Sequence, residues 1–265
     1  MVLDNYQFHN QSKVLDSIIA LKQKLDENRP LPSHLIQSLQ KDFLIKNTYH
    51  SNAIEGNTLT VYETKAILED GITVAGKSMR EHLEAINHKE AILLTEDLIN
   101  NNEDVSERHI KEFHAIILHS IDNQHAGIYR LRNVIMSGAS HMPPDYMKVP
   151  DLMHELVEWY RQEQDLHPIE KATLLHSQFV NIHPFIDGNG RTARLLMNFE
   201  LLKTGYLPII IEQERRFDYY KVLDIAAVKQ DYGPLLSFVM DYEYKELQRY
   251  MSLIQRDQEL GELEL

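Results

Sequence analysis

Twelve residues, His183 to Arg194, place several chemically active side chains close together in the sequence HPFIDGNGRTAR. The pattern predicts that one helix ends near residue 182 and that a tight, glycine-containing loop opens the next helix at Asn189 or Gly190. Backbone N–H groups converge at such a helix start and bind anions. Arg191 and Arg194 are three residues apart, so they lie on neighbouring parts of one helical face. Because guanidinium groups bind phosphate oxygens well, the segment indicates a phosphate site.

Two more side chains of this segment suit phosphoryl or nucleotidyl transfer. Asp187 precedes the glycines and could hold Mg²⁺, which takes one or two protein carboxylates and fills its shell with water and phosphate oxygens. His183, with an unperturbed pKa of about 6.5, suits a general base near neutral pH. Each feature alone is more often structural, and the chain has 14 histidines. Their order within one short segment favours the chemical interpretation.

The segment resembles the signature of the Fic family, His-x-Phe-x-Asp/Glu-Gly-Asn-Gly-Arg-x-x-Arg, at every fixed position. The resemblance implies that ATP is the substrate, that His183 activates a target hydroxyl and that Asp187 binds Mg²⁺. It also implies that Phe185 anchors the loop in the core. The residues implied to hold the phosphates are Gly188, Asn189, Gly190, Arg191 and Arg194, the last at the γ-phosphate. The phosphorylating Doc branch has a lysine where this chain has Gly190, which favours nucleotidyl transfer.

A second segment, Ser51–Asn57, resembles the family's inhibitory motif, Ser/Thr-x-x-x-Glu-Gly/Asn, at Ser51, Glu55 and Gly56. The resemblance implies that Glu55 pairs with Arg194 and turns it away from the γ-phosphate, so that ATP binds unproductively. From the residues alone, the segment predicts a helix C-terminus with Gly56 in the left-handed conformation. The two interpretations are compatible.

A β-prone run at 133–138, a polar turn and two prolines predict a short hairpin. The resemblance identifies it as the family flap, at about 131–148, which holds an extended target segment by β-pairing. The implied target-binding residues are Val134, Ile135, Met136 and Ser137.

Tyr219 and Tyr220 match a tyrosine pair that lines the adenosine pocket of close relatives. Their alternative interpretation is that they are core aromatics of a helix. Ala227 departs from the relatives, which often have an asparagine near the nucleotide at this position, so the base preference stays open.

Helical periodicity dominates the rest of the chain. Thr60 and Glu63 predict a capping box for a short helix that ends at Gly71. In a helix at about 80–100 we expect four inward apolar residues, Leu83, Ile86, Ile92 and Leu94. Further helices are predicted to end before Pro30, to begin near Ser106, Asp151 and Pro168, and to span 189–204, 216–228 and 233–258.

These elements predict a mainly α fold, a Fic-type helical bundle with a small β-hairpin flap, preceded by an N-terminal helical extension. The extension is placed at 1–98 and contains the inhibitory motif at 51–57. The catalytic core is placed at 99–250, with the flap and the catalytic loop at 183–194. Residues 251–265 are expected to form a C-terminal helical tail.

The bulk composition narrows the function classes. The chain has 265 residues, a formal net charge of -13 and no cysteine, which excludes disulfides and thiolate metal sites. The acidic balance argues against nucleic-acid binding, which needs a basic footprint. No signal-like start or long apolar run is found, so a cytoplasmic protein without a membrane partner is expected.

The sequence therefore predicts a protein adenylyltransferase that moves AMP from ATP to a Ser, Thr or Tyr hydroxyl of a target protein or of itself. One alternative is AMP removal at the same site, with Glu55 orienting water. Another is a catalytically weak nucleotide-sensing module, against which the intact His183, Asp187 and Arg194 count. A DNA-binding regulator would need a basic face that the sequence lacks. A homodimer is compatible with the family, and the oligomeric state stays open.

Overall fold

The computed structural model describes residues 12–136 and 138–263, and this part of the chain is helical, with ten α-helices and two short 3-10 turns. The helices are α1 (Ser12–Glu27), α2 (Ser33–Ile54), α3 (Val61–Asp70), α4 (Met79–Asn100), α5 (Glu107–Ile117), α6 (Val149–Gln162), α7 (Pro168–Ile182), α8 (Asn189–Lys203), α9 (Arg216–Lys229) and α10 (Gly233–Leu263). None of the described helices is long and apolar enough to cross a membrane.

Three of the four helix starts for which the sequence predicts a start residue form as predicted. The Thr60 side chain accepts a hydrogen bond from the Glu63 N–H and the Glu63 side chain reaches back, so the capping box at α3 is confirmed. The Ser106 side chain accepts a hydrogen bond from the His109 N–H at the start of α5, and Pro168 occupies the first turn of α7. The prediction that Asp151 caps α6 is wrong. A 3-10 turn leads directly into α6, which begins two residues earlier and leaves Asp151 in its first turn.

Two apolar clusters share α7 and α8. One joins these helices to α1, α9 and α10, and the other joins them to α4, α5 and α6. The helices on both sides of the loop at 183–188 therefore contribute to both clusters. The boundaries predicted at 98/99 and 250/251 fall inside α4 and α10.

The buried face of α4 is unexpectedly polar. Ile92 is buried as predicted, Leu83 and Leu94 are partly buried, and Ile86 is 41% exposed, so the inward placement of Ile86 is wrong. The buried polar side chains of α4 are His82, Glu84, Asn87, His88 and Thr95. The reason is that α4 packs against α2 and α8, whose inward surface carries charged and polar groups of its own.

The flap region forms no β-strand in the described part of the chain, so the predicted hairpin is not confirmed. Side chains hold the segment in place of a strand ladder. Asn133 Nδ2 donates to Asp145 Oδ2 at 3.0 Å across its base, and Asp224 of α9 accepts from the Ser140 and His141 N–H groups. Ser137 lies outside the described residues.

Candidate active site

The loop between α7 and α8 contains two residues in left-handed backbone conformations. His183 ends α7 with φ 49° and ψ 60°, while its N–H donates to the Phe179 carbonyl at 3.0 Å. Gly188 begins α8 with φ 77°. A side chain at position 188 would also meet the His114 ring at 3.1 Å, so both conformation and space favour glycine there.

The Asn189 side chain closes this loop. Its Oδ1 accepts from the Phe185 N–H at 2.9 Å and its Nδ2 donates to the Phe185 carbonyl at 3.0 Å. Asn189 can therefore offer a phosphate only its main-chain N–H. Gly188 provides no capping side chain, so the first N–H groups of α8 can bind an anion.

His114 of α5 fastens the loop, and sequence reasoning missed it. Its ring stacks on that of Phe185 with centroids 3.6 Å apart and planes 3° apart. The Gly127 N–H donates to Nδ1 at 2.9 Å, so Nε2 carries the proton that is donated to the Asp187 carbonyl at 2.8 Å. Burial lowers the pKa of His114 to about 4, which keeps this neutral form. The only signal for it in the sequence is its place on the apolar side of α5.

Arg130 holds the backbone at His183, and burial sets the charge of the His183 ring. Arg130 Nε donates to the His183 carbonyl at 2.9 Å, and the Arg130 N–H donates to the Pro184 carbonyl at 2.8 Å. Burial lowers the pKa of His183 to about 4, the Arg130 charge acts in the same direction and Glu55 opposes it. The imidazole is therefore neutral near pH 7 and can accept a proton.

Arg194, which is buried, forms an ion pair with the partly exposed Glu55 at the end of α2. Arg194 Nη2 lies 2.8 Å from Glu55 Oε1 and 2.8 Å from the Ser51 carbonyl, and its Nε donates to Ser51 Oγ at 2.9 Å. Gly56 follows with φ 100°, which turns the chain away after the helix. Burial opposes the charge on Arg194, but Glu55 and Tyr219 hold its pKa above the usual range. Two of the three residues of the predicted motif, Ser51 and Glu55, thus contact Arg194 directly, and Gly56 follows them at the helix end.

Gly190 lies beside this pair at the start of α8. A Cβ atom at position 190 would overlap the Glu55 carboxylate and lie 3.1 Å from Arg194 Nη1. While Glu55 occupies this place, any larger residue at 190 is excluded.

Four charged residues form a closed ring of alternating sign next to the loop. Arg80 connects Glu84 (Nε to Oε1, 3.0 Å) with Asp187 (Nη2 to Oδ2, 2.7 Å). Arg191 connects the same two carboxylates, at 3.5 Å from Glu84 and 3.3 Å from Asp187. Asn57, the last residue of the inhibitory segment, donates to Glu84 Oε2 at 2.9 Å. Sequence reasoning missed Arg80 and Glu84, because no motif or periodicity singles them out.

The charge and the exposure of the Asp187 carboxylate decide whether it suits Mg²⁺. Burial raises its pKa, but Arg191, the Gly188 N–H and Arg80 together lower the pKa by more than burial raises it, so the group is ionised. The side chain is 45% exposed, and the described residues contain no cluster of three or more acidic or histidine ligands. A single accessible carboxylate fits a magnesium ion that completes its shell with phosphate and water. Such an ion would compete with Arg80 and Arg191 for the carboxylate oxygens.

The tyrosine pair on α9 is split between the core and the surface. Tyr219 is 1% exposed, and its hydroxyl bonds His176 Nε2 at 2.8 Å, which matches the core alternative. Tyr220 is 43% exposed and donates to the Ile54 carbonyl at 3.2 Å, at the end of the inhibitory helix. Ala227 lies partly buried on the same helix.

Three of the four predicted flap residues lie in the described part of the chain, and one of them is largely exposed to solvent. Ile135 is 83% exposed, while Val134 and Met136 are partly buried. The backbone N–H groups of these three residues have no hydrogen-bond partner within the described ranges. They are thus available to a chain that approaches the flap.

Known proteins with related sequences and structures point to one family. Residues 104–201 match the Fic/DOC family. Curated relatives named protein adenylyltransferase Fic are 36% identical in Nematostella vectensis (94% of this chain, 61% of the relative) and 34% identical in Drosophila melanogaster (96% and 56%). This chain thus spans a little over half the length of the curated relatives it matches.

Solved structures agree over nearly the whole chain. Residues 134–508 of Fic-1 from C. elegans superpose with a TM-score of 0.84 at 33% identity, covering 93% of this chain and 73% of that one. A Fic domain-containing signaling protein from Bacteroides thetaiotaomicron gives 0.83 at 29% identity, covering 90% and 97%. With the catalytic segment complete, the family match and these alignments show that the chain belongs to the Fic family.

Proposed function

We propose that this protein is a protein adenylyltransferase that transfers AMP from ATP to a Ser, Thr or Tyr hydroxyl of a target protein or of itself. The observation that carries the proposal is the arrangement of a neutral His183 and the side-chain-free N-terminus of α8 at the two ends of one short loop. The names of the curated relatives support the same activity.

The chemistry follows from the placement of these groups. His183 accepts the proton of the acceptor hydroxyl as its oxygen attacks the α-phosphorus, and the bond to the bridging oxygen breaks to release pyrophosphate. The first N–H groups of α8, with Arg191 and Arg194, bind the phosphate chain and stabilise its charge. Mg²⁺ on Asp187 would supply further charge neutralisation when it is bound. His183 then returns its proton to solvent.

Glu55 restrains this reaction through Arg194. While the 2.8 Å pair holds, the guanidinium cannot turn to the γ-phosphate, so ATP binds without reacting. A preference of about 3 kcal/mol for this state reduces activity by roughly a hundredfold.

The acceptor segment is proposed to lie in an extended conformation along the flap. The N–H groups of Val134, Ile135 and Met136 would pair with its backbone, Ser137 would continue the contact, and side chains would give specificity. Tyr220 would border the adenosine, because it is the exposed member of the tyrosine pair.

The test is transfer of label from α-labelled ATP with Mg²⁺ to the protein, in wild type, Glu55→Gly and Glu55→Gly/His183→Ala. We expect Glu55→Gly to label itself about a hundredfold faster than wild type, and the double variant to bind ATP without labelling. Asp70→Gly is the matched control, since it also replaces an acidic residue with glycine at an exposed helix end.

Each outcome has a distinct meaning. Equal labelling of wild type and Glu55→Gly would contradict the inhibition, and retained transfer in the double variant would show that another group is the base. If ATP binds but none of the three proteins is labelled, transfer to the protein itself is wrong. Three interpretations would then stay open: a strict requirement for the true target protein, AMP removal, or nucleotide sensing.

A further inference from the structure

Asp224 connects the helix of the tyrosine pair to the flap. It lies on α9, four residues after Tyr220, and its Oδ1 accepts from the Ser140 N–H at 2.8 Å and from the His141 N–H at 3.2 Å. Both bonds end on the same oxygen atom. Two adjacent backbone groups of the flap are therefore held by one carboxylate that belongs to another element.

The carboxylate is charged, which strengthens these bonds. Burial raises the pKa of Asp224, but its hydrogen bonds with Ser140 and His141 outweigh burial and lower the pKa below the usual range. Hydrogen bonds from N–H groups to an ionised acceptor are stronger than neutral ones.

The same stretch of the flap is also tied to the end of α7, next to the catalytic loop. The His141 Nε2 donates to the Asn181 carbonyl at 3.1 Å, two residues before His183. Arg130, which bonds the His183 carbonyl, also donates to the Arg132 carbonyl at 3.1 Å and to the Pro144 carbonyl at 2.5 Å, near the two ends of the flap. The base of the flap is thus fixed to the catalytic loop, while its second half is fixed to α9.

We propose that Asp224 is a positioning residue that sets the distance between the flap and the catalytic loop, and so places the acceptor hydroxyl relative to His183. This inference rests on the proposed function. Both Tyr220 and Asp224 lie on α9. One rigid helix therefore fixes the position of the acceptor relative to the nucleotide. Loss of Asp224 would misplace the acceptor without weakening ATP binding, and misplacement by about 1 Å can cost roughly a hundredfold in rate.

The first test is amide hydrogen exchange, measured by NMR on the full chain. We expect Asp224→Ala to speed exchange of the Ser140 and His141 N–H groups by about tenfold or more, because their acceptor is lost. Asp224→Asn keeps an oxygen in the same place and should retain protection. The Phe185 N–H, bonded to Asn189, is the internal control and should not change.

The second test is the rate of self-labelling from α-labelled ATP in the Glu55→Gly background. We expect Asp224→Ala to lower the rate at saturating ATP by about tenfold while the Kd for ATP stays within about twofold. Asp224→Asn should restore most of the rate. Asp218→Ala, which removes another carboxylate of α9 that is 68% exposed, should have no effect.

The outcomes separate the inference from the proposed function. Unchanged exchange at Ser140 and His141 in Asp224→Ala would overturn the inference, as would equal losses of rate in the Asn and Ala variants or a weaker Kd for ATP. If Glu55→Gly shows no labelling at all, self-transfer fails, and the exchange measurement still decides whether Asp224 holds the flap.

Discussion

His183 owes its neutral ring to its surroundings. The side chain lies between the end of α7 and Arg130, and burial there lowers its pKa to about 4, well below the ordinary value of about 6.5. A histidine with a lowered pKa remains an available base at pH values where an exposed one is already protonated. The acid limb of the pH–rate profile should therefore lie at a lower pH than an unperturbed histidine would give.

This gives a prediction for the pH dependence of transfer in Glu55→Gly. The rate at saturating ATP and Mg²⁺ should stay level between about pH 8 and about pH 5.5 and fall only as pH approaches the His183 value. Glu55→Gly removes a charge that raises the pKa of His183, so the variant does not shift the acid limb of the pH–rate profile to higher pH. Initial rates over this range, with circular dichroism to verify the fold, test it. A half-maximal rate near pH 6.5 would contradict it.

The sequence predicts only part of the site at this scale. His183, Asp187, Arg191 and Arg194 follow from spacing along one loop and helix. Glu84 and Arg80 do not, because they meet the loop only through packing of α4, more than 90 residues away in sequence. The ring of four charged residues that includes Glu84 forms because a polar face of α4 is buried. Hydrophobic periodicity predicted the wrong face at Ile86.

Among the elements, α10 contains a buried carboxylate that the chemistry does not use. Glu243 is fully buried, and its Oε1 accepts from the Leu207 N–H at 3.1 Å, in the linker after α8. Its other oxygen has no partner within the described part of the chain. Burial raises the pKa of Glu243 to about 8, so the group is protonated near pH 7. The unfolded chain releases this proton near the ordinary glutamate pKa of 4.5, so stability is lost as pH rises from there to about 8.

Glu243→Gln should therefore stabilise the protein most at alkaline pH. The amide cannot ionise, so the free energy of unfolding should rise by about 2 kcal/mol or more at pH 8 and change little near pH 5. Urea denaturation at the two pH values measures this, with Glu259→Gln on the exposed side of α10 as control. The same increment at both pH values would show that ionisation of Glu243 is not the cause.

Sequence patterns predict the elements unevenly. Caps are local, so the starts of α3, α5 and α7 are predicted from a few neighbouring residues. The flap is different, because β-propensity needs a partner strand to become a ladder. Here its backbone bonds go to Asp224, and its base is joined through Asn133 and Asp145. A contact with a residue more than 80 positions away leaves no signal in the flap's own sequence.

For the molecule as a whole, four largely buried histidines make stability depend on pH in mild acid. His88, His114, His176 and His183 lie within the helices and loop around the site, and burial lowers their pKa values to about 3, 4, 4 and 4, respectively. The unfolded chain takes up protons on these groups below about pH 6.5, but the folded chain does not until lower pH. Their contribution to stability is therefore complete above pH 6.5 and is lost as pH falls toward 4.

His88 allows this to be tested at a histidine that has no assigned part in the reaction. Its Nδ1 lies 3.4 Å from Thr48 Oγ1, and its Nε2 has no partner among the described residues. Below about pH 6.5, each such histidine steepens the fall in unfolding free energy by about 1.4 kcal/mol per pH unit. His88→Asn should remove about that much of the slope between pH 6.5 and 5, measured by urea denaturation, whatever its effect at pH 7.5.

His154→Asn, at an exposed position, is the matched control. An unchanged slope in His88→Asn would mean that His88 takes up its proton in the folded protein, and the polar interior beside Arg191 and Arg194 would then have to admit water or rearrange in acid.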